Sequence, residues 1–170
     1  MGFKVFILVC AFLAGAVVPA ETAVAQPADQ RLIFDIYRNG EKFGRHIIDI
    51  ETREDGKTEA RIAINMEYNL GFLTLYRYEH QNLEIWDGSR VEHVETETYD
   101  NGTQYKLLAS RQNGHWVVET KNGIREESDP AHDIYPTSYW NYDMMKAKRI
   151  LNTQTGDVRD MEVIPRGLDE

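Results

Sequence analysis

The feature that most constrains this chain is a series of dipeptides in which asparagine or aspartate precedes glycine. Both residue types tolerate a positive φ, which the tightest two-residue β-hairpin turns require. Six such dipeptides follow one another at intervals of roughly nine to sixteen residues, with one longer gap: Asn39-Gly40, Asp55-Gly56, Asp87-Gly88, Asn101-Gly102, Asn113-Gly114 and Asn122-Gly123. The spacing predicts short antiparallel strands joined by hairpins.

The residues between these turns alternate as half-buried strands do. Ala60, Ile62, Ile64, Met66 and Tyr68 share one parity, and polar residues occupy the other. We expect Phe72, Thr74, Tyr76, Tyr78 and His80 to share one face of a long strand that continues to Trp86. Further strands are predicted over residues 32–36, 48–50, 90–99, 103–111 and 115–120.

About seven strands joined in this way form an antiparallel meander. A long sheet of this kind curls and covers its own inner face, which also protects its edges. The predicted fold is therefore all-β, an antiparallel meander curled into an incomplete barrel or clam. A flat sandwich is the alternative.

The hairpin rhythm stops near Ser128. Thr137 or Ser138 is placed to cap a short helical segment over residues 139–150, where Trp140, Met144, Ala147 and Ile150 recur at roughly helical spacing. Such a segment would pack on the open side of the sheet. Residues 157–164 are predicted to form one more strand.

The N-terminus has the pattern of an export signal. Lys4 precedes an apolar run over residues 5–18, and Ala23-Val24-Ala25 is the small-x-small pattern of a cleavage site before Gln26. The run is short for a bilayer span and no stop-transfer segment follows, so no membrane span is predicted. We expect a single β domain over residues 26–170, located in the periplasm or secreted.

Composition excludes several kinds of chemistry. The only cysteine, Cys10, lies inside the signal, so the mature chain is predicted to lack disulfides, zinc–cysteine sites and cysteine nucleophiles. With 28 acidic residues against 19 Lys and Arg, the net charge of −9 disfavours nucleic acid as a partner. No Gly-x-Gly-x-x-Gly, phosphate loop, His-x-x-x-His or Gly-x-Ser-x-Gly occurs, so we expect no cofactor, no metal and no catalytic residue.

Two patches combine aromatic and polar side chains. One runs from Tyr76 to Gly88, and the other joins Tyr139-Trp140-Asn141 to residues 151–156. Tyr and Trp favour positions with one apolar and one wet side, such as a pocket rim. The alternative is a buried polar loop that closes the sheet and satisfies backbone groups. The candidate ligand-binding residues are Tyr76, Tyr78, His80, Trp86, Tyr139, Trp140, Asn152 and Gln154.

These segments carry a family resemblance. The residues 76–80, 86–88, 98–102, 139–141 and 151–156 together resemble an exported proteobacterial family that is catalogued only as a domain of unknown function. The resemblance covers residues 32–163 and implies no known activity. Members of that family usually continue past the position of Ile164 with further strands, so this chain is either a short variant or lacks its last strands.

The leading functional hypothesis is a non-catalytic binding or carrier module for a lipid or small apolar ligand, by analogy with other curled sheets. The second hypothesis is a structural or interaction protein of the cell envelope. The third is a hydrolase or isomerase that uses His80 with a nearby carboxylate, which would require the two groups to lie within hydrogen-bond reach.

Overall fold

The computed structural model describes residues 29–131 and 134–164. The export signal over residues 1–25, its cleavage site after Ala25, and His132 lie outside these residues. Eleven strands are present in the described part of the chain. They are β1 Gln30–Arg38, β2 Glu41–Thr52, β3 Thr58–Leu70, β4 Leu73–Asp87, β5 Arg90–Asp100, β6 Thr103–Gln112, β7 His115–Thr120, β8 Gly123–Ser128, β9 Ile134–Pro136, β10 Arg149–Leu151 and β11 Val158–Asp160.

Strands β1 to β8 form one antiparallel sheet in chain order, which confirms the predicted meander. Among the described residues β1 and β8 do not pair with each other, so this main sheet is an incomplete barrel. Four of the six Asn-Gly and Asp-Gly dipeptides lie between strands, while Asp87 is the last residue of β4 and Gly123 is the first residue of β8. Asn39, Asn101 and Asn113 have positive φ, as the tightest hairpin turns demand.

Residues 134–164, which we call the C-terminal segment, pack on one face of the main sheet. Within this segment β9 pairs with β10 in parallel and β10 pairs with β11 antiparallel. The covered face carries the row Ile48, Ile62, Asn82 and Thr96, whose members lie directly opposite one another on β2 to β5. We call it the inner face.

The core lies between the inner face and the C-terminal segment. Trp86 and Trp116 are its largest side chains, and both are essentially inaccessible to solvent. Apolar residues from β5 to β7 and from the C-terminal segment fill the space around them: Val91, Val94, Leu107, Ala109, Val118, Ile134 and Leu151. Burial of each large apolar side chain contributes about 1.5–3 kcal/mol to the stability of the fold.

The short helical segment near the C-terminus is a single 3₁₀ turn over Tyr142–Lys146, shorter than the predicted 139–150. Its cap is Asn141, whose side chain accepts from the backbone N–H of Asp143, and neither Thr137 nor Ser138 has that role. Tyr139 has a φ of 61°, which a helix excludes. The last predicted helical residue, Ile150, lies in β10.

The prediction that Phe72 and Thr74 continue the alternation of β4 was wrong. Phe72 lies in the β3–β4 turn, and the strand begins at Leu73. The pairing of β3 with β4 shifts between Tyr68 and Asn69, so a bulge interrupts the alternation before Tyr76. The predicted strand over residues 157–164 is present only as Val158–Asp160.

Candidate functional site

A buried glutamate joins the main sheet to the C-terminal segment. Glu84 of β4 is fully buried, and its Oε2 accepts from Nε1 of Trp86 at 3.0 Å and Nε1 of Trp140 at 2.9 Å. The hydroxyl of Ser138 donates to the same oxygen, and Nδ2 of Asn82 donates to Oε1. Burial raises the pKa of Glu84, and the four donors oppose that rise.

A second set of contacts holds the loop of residues 152–156 against β4 and β5. The hydroxyl of Thr96 donates to the carbonyl oxygen of Thr153 at 2.6 Å, and the backbone N–H of Thr153 donates to Oγ1 of Thr137. The Asn152 side chain stays within the loop, where its Oδ1 accepts from the backbone N–H groups of residues 154 and 155. This loop is therefore a buried polar closure of the sheet.

His80 lies under this loop. Its Nδ1 is 2.7 Å from Oγ1 of Thr98, and its Nε2 is 3.5 Å from Oγ1 of Thr153. Burial is the main cause that lowers the pKa of His80 to about 4, and the neighbouring His46 adds to the shift. Among the described residues no carboxylate is within hydrogen-bond distance of His80, so the pairing that the enzyme hypothesis requires is not present there.

Gln154 continues the polar contacts toward the rim. Its Oε1 accepts from the hydroxyl of Tyr78 at 3.3 Å, and its Nε2 donates to Oδ2 of Asp100 at 3.1 Å. The hydroxyl of Tyr76 donates to the other oxygen of Asp100. Burial raises the pKa of Tyr78 to about 12, so its phenol is a neutral hydrogen-bond donor.

The structure therefore brings together most of the side chains that the sequence predicted as ligand-binding. Trp86 and Trp140 meet in an edge-to-face contact at 5.4 Å and share Glu84, while Tyr78 and His80 stack at 6.2 Å. Tyr139 is separate from them and mostly exposed. These side chains mainly bind one another across the junction between sheet and C-terminal segment.

A part of the inner face that the sequence analysis did not single out is left uncovered. Phe34 lies opposite His46, which lies opposite Ile64, which lies opposite His80. Exposure along the inner face rises from 1% at Ile48 to 51% at Phe34. We call the surface formed by Phe34, Ile36, His46, Ile64 and Met66 the open half.

The signal for the open half was the alternation over residues 32–36 and over residues 60–68, which placed Phe34, Ile64 and Met66 on strand faces. The signal did not show that the C-terminal segment stops short of that face. His46 within it has a pKa lowered by burial, and its Nε2 has no hydrogen-bond partner among the described residues. The open half is thus apolar, with a neutral imidazole at its floor.

Two further clefts lie on the opposite face of the sheet. They have volumes of about 470 and 550 Å³ and share the carboxylates of Glu95 and Glu97. Arg61, Lys106 and Lys121 also line them, together with apolar residues such as Leu83 and Leu108, so these clefts are open grooves that mix charged and apolar side chains of adjacent strands. An apolar ligand in these clefts would desolvate the charges, which is costly.

Within residues 29–131 and 134–164, no three His, Cys, Asp or Glu side chains are arranged to hold a metal ion. In the same residues, no helix has the length and apolar character needed to cross a bilayer.

Comparison with known proteins gives one match. Residues 34–170 match the sequence model of a family described as "Domain of unknown function (DUF6134)". No curated protein and no solved structure is significantly similar to this chain.

Proposed function

The chain belongs to the DUF6134 family, whose function is unknown, and we propose that it is a non-catalytic module that binds a lipid or small apolar ligand. The ligand lies on the open half of the inner face. The export pattern of residues 1–25 supports a location in the periplasm or outside the cell, where such a module would carry or present its ligand.

The exposure of Phe34 is the observation that carries this proposal. Phe34 points to the face whose other residues form the core, yet half of its surface is accessible. Covering the exposed half of such a side chain with an apolar partner contributes about 1 kcal/mol, roughly half of the value for burying a whole large apolar side chain. The chain covers the equivalent surface at Ile62 and Ile48 with Trp140, but its described residues leave Phe34 to another partner.

The shape of the open half favours a slender ligand. It is bounded on one side by the edge strand β1 and on the other by Tyr78 and Gln154, which are joined by a hydrogen bond. Across the strands, Phe34, Ile64 and Met66 offer an apolar strip. A single acyl chain lying along this strip would remove apolar surface from water on both molecules.

Binding of cis-parinaric acid, a fluorescent fatty acid, tests the proposal. We expect fluorescence enhancement with the wild-type protein and strong loss of it in Phe34→Ser. Leu108→Ser is the matched control, because Leu108 is likewise an exposed apolar strand residue but lies on the other face. Absence of binding by the wild type, or equal loss in both variants, would overturn the proposal.

Native mass spectrometry of the purified full chain gives a second readout. A lipid that copurifies with the wild type and is absent from Phe34→Ser would identify the cargo class. The mass of the protein chain in the same spectrum would show whether residues 1–25 have been removed before Gln26.

A second candidate function follows from the β3–β4 hairpin. Leu70, Phe72, Leu73 and Leu75 are all exposed there, and Phe72 is fully accessible. An exposed cluster of large apolar side chains at a hairpin tip is typical of a contact with a membrane or with another envelope protein. This observation favours the interaction hypothesis independently of the open half.

Flotation with phosphatidylethanolamine–phosphatidylglycerol vesicles separates the two kinds of hairpin contact. Binding that is lost in Phe72→Ser would assign the tip to a lipid surface. Retention of cis-parinaric acid binding in the same variant would show that the hairpin and the open half act separately.

A further inference from the structure

We propose that two copies of this chain join through the outer edges of their β1 strands, so that their main sheets form one continuous antiparallel sheet. The twofold axis passes through Ile33, and the interface consists of Gln30–Ile36 from each copy. The proposal concerns assembly and rests on the free edge and the charges of β1, not on the ligand proposed above, although Phe34 and Ile36 belong to both surfaces.

The outer edge of β1 is free in the described part of the chain. β1 is nine residues long and pairs with β2 on one side, and no strand within residues 29–131 and 134–164 pairs with its other side. Such an edge presents a row of backbone N–H and C=O groups that can extend the sheet. Ile33 and Phe34, near its centre, are both about half exposed.

The other edge of the main sheet is less suited to the same contact. β8 has six residues and includes Arg125, Glu126 and Glu127. Short, charged edge strands are a common protection against edge-to-edge pairing. The guanidinium of Arg125 also binds the carbonyl oxygen of Gly156 in the C-terminal segment, which ties β8 to its own chain.

Symmetry and charge together fix the register of the β1–β1 contact. A twofold axis perpendicular to the sheet keeps the two inner faces on the same side. With Ile33 on the axis, Arg31 lies opposite Asp35 of the second copy, and Leu32 lies opposite Phe34 of the second copy. Opposite charges therefore pair on the face of the sheet that lies opposite the inner face, and apolar side chains pair on the inner face.

Neighbouring registers do not give this match. An axis one residue earlier would place Asp29 opposite Asp35 of the second copy. An axis one residue later would place Ile33 opposite Asp35, and an axis at Asp35 would place two Asp35 carboxylates opposite each other. Like charges directly opposite on adjacent strands are unfavourable.

The charges within each copy extend the same pattern. Arg31 contacts Asp49 at 3.3 Å on the neighbouring strand, and Asp35 contacts Arg45 at 3.1 Å. In the proposed register, a row of alternating charges crosses the junction: Arg61, Asp49 and Arg31 of one copy, then Asp35 and Arg45 of the other. Lys42 of β2 also contacts Asp35, at 2.7 Å.

A charge-swap experiment tests the register. Arg31→Glu alone would place two carboxylates opposite each other at this pair of positions, and Asp35→Arg alone would place two guanidinium groups there. Each single variant should therefore be monomeric. An equimolar mixture of the two variants restores both opposite-charge pairs and should form a heterodimer. Sedimentation velocity should give twice the mass of one chain for the wild type and for the mixture only.

A cysteine placed on the axis gives an independent measurement. In a Cys10→Ser background, Ile33→Cys places two thiols opposite each other across the twofold axis, within the reach of a disulfide after small adjustment. We expect mild oxidation to link two chains. Tyr37→Cys, at an exposed residue on the same strand, should not form the link.

Each outcome decides the proposal. A wild-type monomer at every concentration reached would overturn it. So would a dimer that persists in both single charge variants, because a different interface would then join the chains. Circular dichroism of each single variant checks its fold, and recovery of the dimer on mixing cannot arise from misfolded chains.

Discussion

The indole Nε1 of Trp140 donates a hydrogen bond at 2.9 Å to Oε2 of Glu84, which lies 56 residues earlier in the chain. Both side chains also contact Trp86, whose indole donates to the same oxygen at 3.0 Å. One buried carboxyl group thereby holds the C-terminal segment on the inner face. Loss of this acceptor would leave several buried donors without a partner.

We therefore expect Glu84→Ala to lower the free energy of unfolding by about 4 kcal/mol, since each stranded donor costs about 1–3 kcal/mol and the costs are not additive. Glu84→Gln should cost less than about 1 kcal/mol at neutral pH, because hydrogen bonds to a neutral acceptor can replace most of the original ones. Its amide oxygen can accept from Trp86 and Trp140. Its NH₂ would face Nδ2 of Asn82, so the Asn82 amide must turn over to present Oδ1, which has no partner among the described residues, as the acceptor. Urea denaturation of the two variants measures the difference, and equal losses would contradict this account.

The next prediction compares the pH dependence of stability of the wild type with that of Glu84→Gln. Burial raises the pKa of Glu84 in the folded chain above its unfolded value, so the folded state binds more protons above about pH 4.5. The wild type must then lose stability from this group as the pH rises from about 4.5 through the folded pKa. Glu84→Gln has no such titration, and its stability relative to the wild type should improve over that range. A constant difference across pH would show that Glu84 has an ordinary pKa.

His80 should act in the opposite direction. Its pKa is about 4 in the fold because of burial, against 6.5 for an exposed histidine, so the unfolded chain binds the extra proton. Neutral His80 therefore contributes fully to the free energy of unfolding above pH 6.5. This contribution, about 3 kcal/mol, is lost as the pH falls toward 4. His80→Asn keeps a hydrogen-bonding atom near Thr98 and should lose correspondingly less stability over this interval. His115→Gln, at an exposed histidine, is the control and should follow the wild type.

How far the sequence could predict this molecule depends on the range of the interactions. The turn at Asn101-Gly102 is set by two adjacent residues that accept positive φ, so the hairpins and the meander could be predicted from local sequence. The contact of Trp140 with Glu84 depends on how the C-terminal segment folds back over the sheet. No local pattern encodes that path, and the predicted helix over residues 139–150 was too long for the same reason.

The candidate site, like the fold, could be predicted only where local sequence determines it. Tyr78, His80 and Gln154 were predicted as neighbours of a ligand because of their residue types, and the structure does bring them together. Their mutual hydrogen bonds depend on strand register, which the sequence does not reveal. The alternation of apolar residues placed Phe34 on a strand. The exposure of Phe34, however, depends on where the C-terminal segment stops covering the inner face. A surface left uncovered by a distant segment has no signature of its own.

A buried ion pair at the base of the core gives the next prediction. Arg111 donates to Oδ2 of Asp129 at 2.5 Å and to the carbonyl oxygen of Val91 at 3.1 Å, and its guanidinium lies 4.8 Å from the ring centroid of Trp116. Lysine cannot reproduce this planar fork, so we expect Arg111→Lys to lower the free energy of unfolding by about 2–3 kcal/mol.

The control for this prediction is Arg159→Lys, because Arg159 is exposed and its contact with Asp157 is long, at 3.9 Å. Exposed pairs of this kind contribute about 0–1 kcal/mol. Thermal unfolding of both variants at one pH gives the comparison. If both variants showed a similarly small shift in the unfolding temperature, Arg111 would stabilise the fold through its charge alone.

The last prediction concerns Gly156, which lies in the loop that closes the sheet. A Cβ at this position would be 2.8 Å from Cγ2 of Thr120, 3.1 Å from Cδ1 of Leu107 and 3.3 Å from Cγ1 of Val118. Gly56 has the same φ of +79° but has no atom within 4 Å of such a Cβ. Gly56→Ala should therefore report the backbone strain alone, about 1–2 kcal/mol, while Gly156→Ala should cost about 1–3 kcal/mol more from overpacking. Hydrogen exchange should also rise at residues 152–156 in Gly156→Ala only, and equal effects of the two substitutions would show that the loop does not pack on β6 and β7 as described.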